Sequence, residues 1–215
     1  MDFTHFKALI LDCDGVIVDS EPLSCGAWNV LMKERFGIEI DNNYDPILGA
    51  TSKIASKYYL SKFNIPFTDI LLDNLGEEKE QVYYRLAKGN LKTIPGIKQL
   101  IGRCKKLGWK IAVASSGNIE KVQFNLNQVS LENEFDALIY GDHVPKSKPA
   151  PDIFLKTIEK LKMQPSQCII IEDSINGVIA GKTSGAFTIG ITTTFSREDL
   201  IRADLVIDRF EELYI

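Results

Sequence analysis

The chain has 215 residues, 45% of them hydrophobic, which suits one sizeable core with or without a smaller insert and excludes a disordered segment. A formal net charge of -4 and a pI near 5.3 exclude a general nucleic-acid or anionic-membrane surface. No apolar stretch approaches the roughly 20 residues of a membrane span, and Cys13, Cys25, Cys104 and Cys168 form no CxxC pair, so they read as buried free thiols of a cytoplasmic protein.

In chain order, the first strand signal is the apolar run Phe6–Leu11, closed by Asp12, Asp14 and Gly15. A helix follows, with Ser20 as N-cap and Pro22 in its first turn. Leu23, Ala27, Val30 and Leu31 form its stripe, and it ends near Gly37. Further helical patterns run over Ile54–Lys62 and Asp69–Ala87. This helical insert of about eighty residues is too long for a simple crossover. It predicts an α-helical cap domain at 21–90, standing over the end of the first strand, set into a core formed by 1–20 and 91–215.

Pro95 and Gly96 mark the return to the core. Strand signals then recur at Lys110–Ala114, Ala137–Tyr140, Cys168–Ile171, Phe187–Ile191 and Leu205–Ile207. Helical stripes such as Leu100, Cys104 and Leu107, or Ile153, Leu155, Ile158 and Leu161, separate them. This alternation predicts an α/β core: a Rossmann-like parallel sheet with helices on both faces.

Ligands of open parallel sheets bind beyond the carboxyl ends of the strands. Asp12 and Asp14 follow the first strand, and Ser115, Ser116 and Gly117 the second. Lys148 follows the third, and Glu172 and Asp173 the fourth. Singly, each has a structural reading: a turn, a helix cap, a solvated loop lysine, or acidic residues at a helix N-terminus. Jointly they make a coherent site for phosphoryl transfer. One carboxylate attacks phosphorus and a second, two residues on, manages protons. Crowded carboxylates with only oxygen ligands call for Mg²⁺. Lys148 and Ser115 can hold the phosphoryl oxygens.

Other motifs fail. Gly177–Thr183 resembles a P-loop but has three residues between its glycines where four are required, and it falls inside a predicted helix. There is no GxGxxG or GxSxG, and with only His5 and His143 neither a histidine-rich zinc site nor a serine-histidine-acid triad has support.

Asp12-Cys-Asp-Gly-Val-Ile-Val-Asp-Ser-Glu-Pro, Ala114-Ser-Ser-Gly-Asn, Ser147-Lys-Pro-Ala-Pro-Asp-Ile-Phe and Ile171-Glu-Asp-Ser-Ile-Asn-Gly together resemble the haloacid dehalogenase superfamily, over essentially the whole chain. The insert resembles the helical cap of its β-phosphoglucomutases and small sugar-phosphate phosphatases. The resemblance implies Asp12 as nucleophile and Mg²⁺ ligand, and Asp14 as acid/base lending its backbone carbonyl to the metal. It implies Ser115 and Lys148 as holders of the phosphoryl group, and Glu172 with Asp173 as completing the metal site. Gly49 falls where related caps carry a specificity-loop glycine. Ser116, Gly49 and Lys53 are candidates for substrate contact. Positions near Ser24, Trp28, Lys53, Lys79 and Arg85 could face the substrate, although a tryptophan such as Trp28 more often belongs to the cap core and lysines and arginines such as Lys79 and Arg85 are more often solvated helix charges. The superfamily's dehalogenases lack the second aspartate, so Asp14 argues against C–Cl chemistry.

Similar mutases carry a histidine where Ser24 stands and an arginine where Ser52 or Lys53 stands. Their absence favours a phosphatase of a small phosphorylated metabolite over a phosphomutase. A non-catalytic phospho-ligand binding protein is the alternative of another class, disfavoured because no nucleophile or ligand position is lost. Oligomeric state stays open, a monomer included.

Overall fold

The computed structural model describes residues 3–215. It divides into two compact units, one taking the chain up to Asp19 and from Leu91 onward, the other Ser20–Asn90.

In the first unit six strands form one all-parallel sheet: β1 (Ala8–Leu11), β2 (Lys110–Ser115), β3 (Ala137–Tyr140), β4 (Cys168–Glu172), β5 (Phe187–Ile191) and β6 (Leu205–Ile207), in the order β3-β2-β1-β4-β5-β6. The Rossmann-like α/β expectation holds. All four residues of β1 are buried, as a central parallel strand covered on both faces requires. Side chains alternate along the strands. Ala8, Ile10, Ala112, Ala114, Ile139 and Ile170 share one core layer with Phe154 and Ile158 of a flanking helix. Three strand bounds differ from the sequence reading: β2 and β4 each run one residue further, to Ser115 and Glu172, and β1 starts two residues later. Phe6, read as strand, lies before β1 and packs its ring against Phe187 at 5.5 Å between centroids.

The connections run through α4 (Ile97–Lys106), α5 (Ile119–Gln128), α6 (Asp152–Leu161) and α7 (Ile175–Ser184). The P-loop lookalike lies within α7, as expected, and its Lys182 pairs with Asp204. The strand order reverses direction at β1 and β4, the switch point where such sheets open a crevice.

The second unit is helical: α1 (Glu21–Phe36), α2 (Ser52–Lys62) and α3 (Asp69–Ala87). Thr51 and Thr68 cap α2 and α3 through their hydroxyls, and Gly37 ends α1 in the left-handed conformation at φ 69°. Ser20 occupies the N-cap position of α1 but makes no capping bond through its side chain. Trp28 is buried with its ring 5.5 Å from that of Tyr59, in the core as expected. Arg85 is exposed and pairs with Glu34 at 2.8 Å. Lys79 departs from the solvated reading. It is buried, its Nζ donates to Ser24 Oγ at 2.6 Å, and it lies 3.2 Å from Glu80. Among the described residues no helix is long and apolar enough to cross a membrane.

Candidate active site

Register sets the site. Leu11 lies beside Val113 on one flank and Ile171 on the other, so Asp12 falls level with Ala114 and Glu172. Its amide extends the ladder by donating to the Ile171 carbonyl at 3.1 Å. The chain then turns on itself: the amides of Ile17 and Val18 both donate to the Cys13 carbonyl, at 2.9 and 3.0 Å.

Lys148 reaches this point from the loop between β3 and α6. Its Nζ donates to Asp12 Oδ1 at 2.6 Å, to the Ala114 carbonyl at 3.2 Å, and to Glu172 Oε1. Its side chain is only 7% exposed. Burial would push this ammonium toward neutrality, but Asp12 and Glu172 outweigh it and hold its pKa above the ordinary lysine value. Burial also raises the Asp12 carboxyl to about 7, against the pull of Lys148 and with repulsion from Glu172 adding to it. Asp173 is raised well above the carboxylate range by burial, then by Glu172 and Asp12. Three carboxyl groups thus crowd around one lysine, and the two raised ones resist ionising together without a further cation.

That imbalance, with donors that are all hard oxygens, fits Mg²⁺. This ion keeps several waters and needs only one or two protein carboxylates. Glu172, expected among the ligands, is otherwise engaged. One oxygen accepts from Lys148 and the other from the Ser174 amide and hydroxyl, at 3.1 and 2.9 Å. Among the described residues no three His, Cys, Asp or Glu side chains gather as a metal group. The carboxylates left without such partners at this edge are those of Asp173 and, on its oxygen away from Lys148, Asp12.

Bare backbone walls two of these carboxylates. A Cβ on Gly15, which sits at φ +74°, would overlap the Asp173 carboxylate, and one on Gly177 would overlap that of Glu172. Thr193 Oγ1 donates to the Gly15 carbonyl at 2.5 Å, and the Thr194 hydroxyl lies beside Gly15 and the Asp173 carboxyl, where it favours the charged form. Neither threonine carried a sequence signal, because both lie in the irregular segment after β5.

Ser115 ends β2, buried, its hydroxyl accepting from the Gly117 amide at 3.2 Å; Ser116 beside it is exposed. Neither caps the next helix; Asn118 does, accepting from the Lys121 amide at 2.8 Å. Asp14 is partly exposed and turned toward α5, where Asn125 Nδ2 donates to its Oδ1 at 3.1 Å. Gly49 and Lys53 lie in the helical unit. Gly49 is exposed at φ 69°, and Lys53 pairs with Asp73 at 2.9 Å and Asp69 at 3.9 Å. The four cysteines are buried and unbridged, as expected, and burial raises every thiol, Cys168 to about 11, which removes thiolate nucleophiles from consideration.

The chain has known relatives. A family model for haloacid dehalogenase-like hydrolases matches residues 6–185. The chain is 29% identical to "Phosphorylated carbohydrates phosphatase" of Thermotoga maritima, covering 83% of this chain and 82% of the relative. It is 28% identical to "Hexitol phosphatase B" of Escherichia coli, covering 96% and 93%. Among solved structures, a β-phosphoglucomutase from Clostridium difficile superposes with a TM-score of 0.80 at 28% identity, over 97% of this chain and 93% of that one. With the family match spanning most of its length and the sheet-edge carboxylates in one cluster, the chain belongs to the haloacid dehalogenase-like hydrolases.

Proposed function

We propose that the chain is a Mg²⁺-dependent phosphatase that hydrolyses a small phosphorylated metabolite, a sugar phosphate, through an aspartyl-phosphate on Asp12. The observation that carries this reading is the buried Asp12–Lys148 contact at the end of the central strand. A carboxylate there attacks phosphorus in line. As its oxygen bonds to phosphorus, the bond to the sugar oxygen breaks and Asp14 protonates the departing alkoxide. Asp14 then takes a proton from water as that water attacks the phosphorus, releasing inorganic phosphate and restoring Asp12. Lys148 and Ser115 hold the equatorial oxygens. A cation held by Asp12, Asp173 and the Asp14 carbonyl would supply charge neutralisation on the phosphoryl group. Glu172 orients Lys148. Relatives named for phosphorylated carbohydrates and hexitols support the substrate class. Four buried free thiols suit the cytoplasm.

EDTA should abolish p-nitrophenyl phosphate turnover, Mg²⁺ should restore it, and Ca²⁺, which takes more ligands at longer range, should inhibit. Full turnover in EDTA refutes the metal assignment. Absence of turnover under any metal would leave a phospho-ligand binding protein.

Hydrolysis is favoured over mutase chemistry by the helical unit. A mutase must retain a bisphosphate, and the histidine and arginine of similar mutases are replaced by Ser24 and by Ser52 or Lys53. Lys53 is already compensated by Asp73 and Asp69. β-Glucose 1-phosphate should therefore yield glucose and phosphate, or nothing. Bisphosphate-primed formation of glucose 6-phosphate, followed by coupled assay, would make the chain a mutase with Asp12 and Asp14 unchanged in role.

A further inference from the structure

Lys121 and Asn125 are four residues apart on α5 and so share one helix face. Asn125 is fully buried, and a buried amide is costly unless bonded. Its Nδ2 donates to Asp14 Oδ1 at 3.1 Å, and the buried Cys13 thiol lies nearby. Lys121 Nζ stands 3.8 Å from the other Asp14 oxygen, acting through charge rather than a hydrogen bond, with its side chain 18% exposed. One carboxylate is thus gripped at both oxygens by side chains one helical turn apart, on a helix that starts at the phosphate-facing loop Ser115–Asn118.

We propose that Asn125, supported by Lys121, is a positioning residue that holds the Asp14 carboxyl in the orientation from which it exchanges protons with the leaving group and with water. The inference rests on Asp14 being the acid/base. Asp14 stands on a turn after β1, where its side-chain torsions have no regular element to fix them. General acid catalysis needs the carboxyl within hydrogen-bond reach of the departing oxygen. A rigid helix face supplies that constraint better than the turn does.

Leaving-group dependence tests this. Phenyl phosphate needs a proton on its departing oxygen; 2,4-dinitrophenyl phosphate does not. Phenol or dinitrophenol release is measured in single turnover for the Mg²⁺-loaded wild type, Asn125→Leu (similar in volume, unable to donate), Lys121→Met and Asp14→Asn. Asn125→Leu should slow phenol release about 10- to 100-fold, the worth of a hydrogen bond to a charged group, while dinitrophenol release and both KM values hold. Equal losses on both substrates, the mark of general destabilisation, or no loss on either, overturn the proposal. Should Asn125→Leu fail to fold, Lys121→Met must show a smaller loss confined to phenyl phosphate; a flat response there overturns it too. Asp14→Asn must show the same selectivity, at about 10²- to 10⁴-fold. If it does not, the acid/base reading itself falls. If it does while both α5 variants stay flat, only the positioning role falls.

Discussion

Asp12→Asn leaves a folded protein whose kcat on any phosphate monoester is lower by about 10⁴-fold or more. An amide oxygen does not form an acyl-phosphate, so no second route exists for the phosphoryl group. The fold has reasons to survive. Asparagine matches the volume, the Asp12 amide still donates to Ile171, and Lys148 keeps Glu172 as its counter-ion. Burying an uncharged side chain in place of a carboxylate also removes a desolvation cost. A circular-dichroism melt should give a midpoint within about 4 °C of wild type, the equivalent of roughly 1–2 kcal/mol for a domain this size. Retention of more than about a tenth of the activity would show that Asp12 is not the nucleophile.

Lys148→Met costs both stability and activity. Its ammonium is buried against Asp12, Glu172 and the Ala114 carbonyl, 4.9 Å from the Phe154 ring centroid. Removing it strands two buried carboxylates without a cation, which costs about 3–5 kcal/mol. Urea denaturation should show the midpoint falling accordingly, while kcat drops by at least about 10²-fold because the transferring oxygens lose their cation. Lys148→Arg should not rescue activity, since a planar guanidinium does not fit a pocket shaped around a point charge. Lys148→Met combined with Glu172→Gln separates the two losses. Part of the stability returns, because one stranded charge is gone, and the activity does not. An unchanged urea midpoint in the single variant would mean that the cluster does not depend on Lys148.

Much of this was legible because a parallel sheet orders its own edge. Once β1, β2, β3 and β4 are read as buried runs, whatever follows each is brought to one rim, and Asp12, Ser115, Lys148, Glu172 and Asp173 follow from strand ends. What escaped was held by contacts between elements. Asn125 looks in sequence like any polar residue in mid-helix; only the register of α5 against the turn after β1 buries it beside Asp14. Lys79 reads as a surface lysine of an amphipathic helix, yet its stem is buried and its head reaches Ser24, 55 residues away in the chain. Glu172 and Asp173 look alike in sequence; only the packing shows that the Glu172 oxygens accept from Lys148 and Ser174.

The sheet order carries a consequence for how this protein is made. β1 is synthesised first, yet its neighbours are β2, beginning at Lys110, and β4, beginning at Cys168. Loop closure over such spans is slow to be repaid, so the earliest strand waits longest for its partners. A ribosome-bound chain that has not yet exposed β4 has Asp12 without Glu172 and Asp173, and so lacks the flank that completes the cluster. Acquisition of activity during synthesis is therefore a readout of the most non-local pairing in the sheet, β1 with β4.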